Sequence, residues 1–262
     1  MDKDFTFDVK RCAEVLLSSR KAVLLSGAGM STNAGIPDFR GPNGIYRKKM
    51  KTDPELIFDI DYFYQNPSFF YEFHREFLKT INEIQPTFSH YFFSNMEKGG
   101  LLKGIITQNI DALHQKAGSE KVFEIHGNMW QSFCTRCGQE YDYKISFHKV
   151  LKEKVPLCDI CKGVIKPDVV FFGENVKYLN ECQTLIKNAD ILFVVGSSLT
   201  VTPAAYLPSM CSGKIVVINK GEISHDYLSP GRIFIHGKYD IDEFFNALEV
   251  ELSNIEGNPR KK

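Results

Sequence analysis

Four cysteines, Cys134, Cys137, Cys158 and Cys161, stand as C-x2-C-x20-C-x2-C. Two thiolates two residues apart can reach one tetrahedral ion, and a second such knuckle completes four sulfur ligands. Zinc is the expected ion, and a site with four thiolates and no open position is structural rather than catalytic. A redox pair would not need the second copy. The other cysteines, Cys12, Cys182 and Cys211, fall in helical patterns and are expected as core thiols.

A second constellation follows the apolar run at residues 22–25, which enters Ser26-Gly27-Ala28-Gly29. Glycine lets backbone approach a bulky polyanion, because no Cβ intervenes. The N–H groups of a following helix start can receive a pyrophosphate. The pattern therefore predicts a dinucleotide site at the carboxyl end of the first strand. The G-x-G-x-x-G fingerprint is broken, since Thr32 takes its last position. The acidic residue expected about 20 positions on is also missing. Asp53 lies in that range, but inside KTDPELIFD, which reads as a helix start. An ordinary strand–turn–helix accounts for the same residues. The continuation NAGIPDFRG, with Pro37, Asp38, Phe39 and Arg40, is more than a dehydrogenase loop needs.

Further polar residues sit where apolar runs end. Gln108, Asn109, Ile110 and Asp111 follow the run at 101–107. Neutral amides there can bond ribose hydroxyls and a carboxamide, and Asp111 can accept from a nicotinamide amide; a turn with an Asx cap is the alternative. His126 ends the short run at 121–125. A neutral imidazole near pH 7 suits a general base, with His114 as the competing candidate. Gly196, Ser197 and Ser198 follow the run at 190–195, and Asn219 and Lys220 follow the run at 214–218, where small residues and hydroxyls can hold phosphate and ribose. No acid sits directly at that last strand end; Glu222 comes three residues after Asn219.

The elements that must position these groups are legible in outline. Phe5, Val9, Cys12, Ala13, Leu16 and Leu17 have helical spacing. Residues 47–66 read as short helical pieces. Asn66-Pro67 is a helix entry, and Phe70, Phe73, Phe77, Ile81 and Ile84 then form one apolar stripe suited to core packing. A capped helix starts near Thr87. The continuous runs at 168–172, 190–195 and 214–218 suit parallel strands covered on both faces, with helical stretches near 177–188, 203–211 and 240–252. Strands alternating with helices predict an α/β fold, a Rossmann-like doubly wound parallel sheet with a smaller inserted zinc-binding module and a helical module. The expected division is a discontinuous NAD-binding domain (1–46, 84–127 and 167–256), a helical module (47–83), a zinc-binding module (128–166) and a disordered tail (257–262).

The stretch around residues 21–46 resembles the signature of the sirtuins, NAD-dependent protein deacylases. TQNIDALHQKAG followed by HG, the four-cysteine spacing and GSSLTV resemble it independently, and the likeness spans roughly residues 5–250, closest to compact bacterial and archaeal members. The resemblance implies that nicotinamide is held near the loop after the first strand and its bond to ribose is broken. The acyl-lysine carbonyl attacks that ribose carbon, and His126 as base activates a ribose hydroxyl, so that the acyl group leaves on ADP-ribose. It places Ala28, Phe39 and Arg40 around the cofactor, with the rest of the first loop (Gly27, Gly29, Thr32, Pro37, Asp38). Asn109, a catalytic residue with His126, and Asp111 lie at the nicotinamide pocket beside Ile110, with Gln108 on ribose. Gly196, Ser197, Ser198, Asn219 and Lys220 fall on the adenosine side, with Lys238 and Tyr239 near adenine. Residues 170–176 resemble the strand that pairs with substrate backbone; Val170, Phe172, Gly173, Glu174, Asn175 and Val201 are the substrate contacts, with Phe172 lining the acyl-lysine tunnel. Sirtuins that prefer succinyl or malonyl groups carry a Tyr and an Arg three residues apart. In FFYEFHREFLK, Tyr71 takes the usual aromatic position and those places fall on His74 and Phe77, with Arg75 between them. The resemblance therefore implies uncharged acyl groups, acetyl first, with NAD and one structural zinc.

Composition narrows the rivals. Lys+Arg and Asp+Glu are both 32, so net charge is zero, which argues against a nucleic-acid protein driven by bulk charge. No apolar run reaches 18 residues and no secretory signal is visible, so a cytoplasmic protein without membrane or nucleic-acid partners is expected. Transfer of ADP-ribose to protein, deacylation of longer chains, and a zinc-module binding protein with a vestigial NAD site are the alternatives. The Asn109, Asp111 and His126 set favours an enzyme.

Overall fold

The computed structural model describes residues 3–38, 44 and 53–256. Helix α1 (Lys3–Ser18) leads into β1 (Ala22–Ser26) and a 3-10 helix (Ala28–Ala34). A second 3-10 turn (Pro54–Phe58), α2 (Ile60–Gln65) and α3 (Pro67–Glu83) precede α4 (Phe88–Lys98), β2 (Leu102–Thr107), α5 (Leu113–Lys116) and β3 (Val122–Glu124). The cysteine-bearing segment holds β4 (Gly127–Cys134), β5 (Glu140–Tyr141), α6 (Tyr143–Lys152) and β6 (Ile165–Val169). The chain closes with α7 (Leu179–Lys187), β7 (Ile191–Val195), a 3-10 helix (Ala204–Met210), β8 (Lys214–Ile218), β9 (Ile233–Gly237) and α8 (Ile241–Glu256).

Six strands form one sheet in the order β3-β2-β1-β7-β8-β9, with every pair parallel. Numbering only these strands, the order is 3-2-1-4-5-6, the doubly wound arrangement whose direction reverses between β1 and β7. Both faces are covered, so the strands are apolar throughout. Leu24, Phe193 and Val216 face a core shared with α1, α4 and α8; Val23, Leu25, Leu192 and Val217 face one shared with α7 and the 204–210 helix. A third cluster, rich in aromatics, lies between α2, α3 and the start of the small sheet, where Phe58, Phe63, Phe70 and Phe171 meet edge to face.

Two readings of the sequence need correction. The run at 168–172 does not join the parallel sheet. Its first residues end β6, which pairs antiparallel with β4 in a three-stranded sheet of order β5-β4-β6. The sequence DVVFF is a continuous apolar run and so reads like a doubly covered strand; in the fold its buried and half-buried positions alternate, with Phe171 buried by the aromatic cluster. The sixth parallel strand is β9, whose residues IFIHG include a histidine and carry a weaker apolar run. The glycine loop also opens a seven-residue 3-10 helix rather than an α-helix.

Candidate active site and metal centre

At the reversal point the loops after β1 and β7 interlock. Gly27 N–H donates to Val195 O at 3.0 Å and Gly29 N–H to Gly196 O at 2.8 Å. A Cβ on Gly27 would lie 2.7 Å from Gly196 O, and one on Gly29 would lie 2.8 Å from Gly196 Cα. The space that glycine leaves is therefore filled by protein backbone. These glycines let two loops touch, and the Gly29 amide is already bonded.

Beside this seam lies a narrow cavity of about 20 Å³ lined by Ala28, Ser31, Ile36, Pro37, Phe77, Asn109, Ile110 and Asp111. That is about the room one water molecule needs, so it is a tight crevice and not a preformed dinucleotide site. Its polar wall is a closed network. Ser31 Oγ donates to Asp111 Oδ2 at 2.6 Å and accepts from Asn109 Nδ2 at 3.1 Å. Asn109 Nδ2 also reaches Gly27 O at 3.1 Å, and Asp111 Oδ1 accepts the Leu113 N–H at 2.9 Å. Asn109 and Asp111 are 6% and 4% exposed, so both side-chain orientations are held by protein partners. A roomier hollow between β3 and α7, lined by Phe123, Thr184 and Leu185 among others, is open to solvent and contains no predicted site residue. Enclosure and converging polar groups favour the smaller pocket.

His126 lies between the ends of β3 and β4. Its Nδ1 is 3.1 Å from Gln108 O. A carbonyl can only accept, so Nδ1 carries the proton and Nε2 retains its lone pair. Burial pushes the imidazole below its ordinary range, and the bond to the Gln108 carbonyl partly offsets this, so the ring is neutral at physiological pH. Its carbonyl accepts Val170 N–H at 2.8 Å, and Gly127 beside it, at φ 73°, is required because a Cβ would overlap Asp168 O. Gln108 also joins the sites, donating from Nε2 to Ser197 Oγ at 2.9 Å.

The other predicted residues fall in two groups. Ser197 and Asn219 are buried at the ends of β7 and β8; Asn219 Nδ2 donates to Gly221 O at 2.9 Å. Ser198 Oγ lies 2.9 Å from Thr200 Oγ1 at the surface, beside Val201. Thr32 Oγ1 donates to Gly29 O at 2.9 Å. Lys220 and Lys238 are exposed, the latter bonded to Glu222 at 2.5 Å. Tyr239 turns elsewhere: its ring packs on Phe5 and Phe244, and its hydroxyl donates to Asp8 at 3.0 Å. Phe39 and Arg40 lie outside the described residues, as does the tail at 257–262.

The predicted substrate segment leaves β6 beside the aromatic cluster. Phe172 N–H donates to Phe58 O at 2.7 Å and Phe172 O accepts Ile60 N–H at 3.1 Å. Phe171 is buried, whereas Phe172 is 42% exposed. Tyr71 is buried with its hydroxyl on Ile165 O. His74 stacks on Phe70 at 5.0 Å, and burial, reinforced by Arg75, pushes it down to about 3, so it is neutral. Arg75 points away, donating to the carbonyls of Val150, Glu153 and Lys154 at the end of α6.

The thiols of Cys134, Cys137, Cys158 and Cys161 all lie within 4.8 Å of one another and form no disulfide. Cys134 and Cys161 sulfurs are 3.4 Å apart, and those of Cys137 and Cys158 3.7 Å. A tetrahedral ion with zinc–sulfur bonds of about 2.3 Å needs sulfurs roughly this far apart. Outer donors are present too. Arg136 N–H and Gly163 N–H each point at a sulfur at 3.4 Å, and Tyr141 OH reaches Cys158 at 3.2 Å. The residues fit zinc with N–H and O–H support.

The Sir2 family model matches residues 27–203. The chain belongs to the Sir2 family. An NAD-dependent protein deacetylase of Thermotoga maritima is 44% identical over 223 residues, 83% of this chain and 89% of that protein. A Sir2 structure with a deacetylated p53 peptide and 3′-O-acetyl ADP ribose superposes with a TM-score of 0.85 at 41% identity, covering 93% of this chain and 98% of that one. A Sir2 structure with p53 peptide and NAD gives 0.82 at 39% identity, covering 95% and 98%.

Some residues of this Sir2 protein escaped the sequence reading. Ser31 links Asn109 to Asp111, yet a serine in a broken glycine motif carries no signal of that role. Ser26 Oγ donates to Thr107 Oγ1 at 3.0 Å and lies 2.9 Å from His114 Nε2. His114 is thus the rear support of this wall. It is fully buried, its ring 4.9 Å from that of His90, and burial holds it well below the ordinary histidine range. Its position one turn after Asp111 made it look like a candidate base; only burial decides against that.

Proposed function

We propose that this sirtuin is an NAD-dependent protein-lysine deacetylase that moves the acyl group from lysine to ADP-ribose with release of nicotinamide, His126 acting as general base. The observation that carries the reading is the pairing of a tautomer-fixed His126 with the Asn109–Ser31–Asp111 pocket across the interlocked loops. Its relatives include proteins named NAD-dependent protein deacetylase and Sir2 structures with peptide and NAD. NAD supplies a ribose carbon made reactive by loss of nicotinamide. The chain's own residues do the rest. Asn109 and Asp111 hold the carboxamide end, Gln108 faces ribose, and Ser197 and Asn219 lie on the adenosine side. His126 Nε2 accepts the hydroxyl proton, while Gln108 O keeps Nδ1 protonated.

The segment from Val170 to Asn175 receives the peptide by strand addition, with Val201 as a further substrate contact. Uncharged acyl groups suit the tunnel, because His74 is neutral and Arg75 is committed to α6. Among the described residues no helix is long and apolar enough to cross a membrane; seven cysteines without a disulfide support work in the cytoplasm.

The test is nicotinamide release from NAD with and without an acetyl-lysine peptide, in wild type and His126→Ala. Peptide-dependent release, with acyl transfer lost in the variant, is expected. Peptide-independent release with label retained on denatured protein would point to ADP-ribose transfer instead.

A further inference from the structure

Lys166 is the only lysine or arginine among the described residues that is buried, at 1% exposure. It lies on β6 opposite Phe133 of β4, on the rung next to the pair formed by the zinc-site residue Cys134 and Ile165. Its ammonium sits 4.1 Å from the centre of the Phe171 ring. It donates to Val169 O at 2.7 Å and to Glu174 Oε2 at 2.8 Å. That same oxygen accepts Phe171 N–H at 2.8 Å, and Glu174 N–H donates back to Phe171 O at 3.0 Å. Residues 171–174 thus close a turn around one carboxylate, and that carboxylate is held from inside by a buried cation.

An ammonium withdrawn from water is costly unless it is paired, and an apolar pair of similar volume would often pack there at no loss of stability. Burial pulls the lysine below its ordinary range, and Glu174 opposes this most strongly among its neighbours. The pair does something that an apolar residue could not. It sets the direction of the Glu174 side chain, and so which backbone groups of the turn face outward. The amides of Phe171, Phe172 and Glu174 are all engaged inward. The edge that remains, around Gly173 and Asn175, is the part on which an incoming strand can pair.

We infer that Lys166 is a positioning residue for the acylated peptide: through Glu174 it holds the 171–175 turn in the shape onto which the substrate backbone adds. This rests on the reading of that segment as the peptide site. It makes peptide affinity, and not NAD affinity, depend on a side chain that touches neither.

The experiment uses the full-length protein with NAD and an acetyl-lysine peptide, measuring kcat and both KM values. The variants are Lys166→Met, Lys166→Arg, Glu174→Gln and the double Lys166→Met/Glu174→Gln. Lys166→Met is expected to raise peptide KM about tenfold, as for coupled contacting residues, with NAD KM within about twofold of wild type. Lys166→Arg should recover most of the loss, and the double variant should be no worse than the poorer single one. Peptide KM unchanged, peptide and NAD KM rising together, or losses that add in the double variant would each overturn the inference. If Lys166→Met does not fold, the isosteric Glu174→Gln breaks the pair from its partly exposed side, 30% exposed. It leaves the Lys166 ammonium without its counter-charge, so its Tm is measured beside both KM values. A peptide KM equal to wild type in the folded variant overturns the inference. Wild-type protein without peptide-dependent turnover would instead overturn the deacetylase reading itself.

Discussion

Gly29→Ala separates two explanations of the glycine loop. If Gly29 exists to admit a polyanion, the variant should fold as well as wild type and only NAD binding should suffer. The packing argues otherwise: the new Cβ would lie 2.8 Å from Gly196 Cα and 2.9 Å from Gly196 O. Both are backbone atoms at the end of a central strand, so neither can swing aside. Reaching ordinary contact requires the loops to part by about 0.6 Å or more. That stretches the Gly29 N–H to Gly196 O bond, now 2.8 Å. Overpacking of this kind costs about 1–3 kcal/mol, and a weakened backbone bond adds about 1 kcal/mol. A loss of about 2–4 kcal/mol in a chain of this size corresponds to a fall in Tm of roughly 5–12 °C. The assay is thermal unfolding without NAD, with NAD KM measured alongside. Gly35→Ala is the control, because nothing lies within 4 Å of its Cβ position and only its φ of 98° is strained. It should lose about 1–2 kcal/mol and leave NAD KM little changed. A Gly29→Ala protein with wild-type Tm and raised NAD KM would refute the argument that this glycine serves loop contact.

Three further outcomes are expected. Purified protein should carry about one zinc per chain; Cys158→Ser should lose it and loosen β4–β6, read by metal analysis and by limited proteolysis, and full retention of metal would count against the four-thiol cage. Stability should fall as pH drops from 6.5 towards about 3, because the unfolded chain takes up a proton that buried His74 refuses in the fold; His74→Phe should flatten that slope in urea titrations, and superimposable slopes would exclude His74 as its source. Asp111→Asn should cut nicotinamide release about a hundredfold by disturbing the Ser31–Asn109 wall while Tm moves little, whereas near-normal release would remove Asp111 from the pocket's working set.

The chemistry of short range was legible in the residues. The cysteine quartet predicts its own cage, since two knuckles of this spacing together supply the four thiolates one tetrahedral ion takes, and the fold brings all four sulfurs together. The polar residues after apolar runs mark strand ends, and Asn109, Asp111 and Ser197 do meet around one seam, because parallel strands bring their carboxyl ends to the same edge. What the residues could not say concerns partners distant in the chain. The run at 168–172 is apolar enough for either sheet, and the decision came from β4 and the aromatic cluster, which cover it. Gly27 and Gly29 read as room for a ligand; their Cβ space belongs to Gly196, some 170 residues away. Lys166 looks like any surface lysine in a β-run until Phe171 and Glu174 close over it, and His114 looks like a base until Ser26 and His90 do the same. Spacing along a chain encodes local geometry and the ligands a motif can offer. Which side chain lies buried, which amide is already bonded and which tautomer a histidine keeps depend on strand order and packing, and those exist only once the chain has folded.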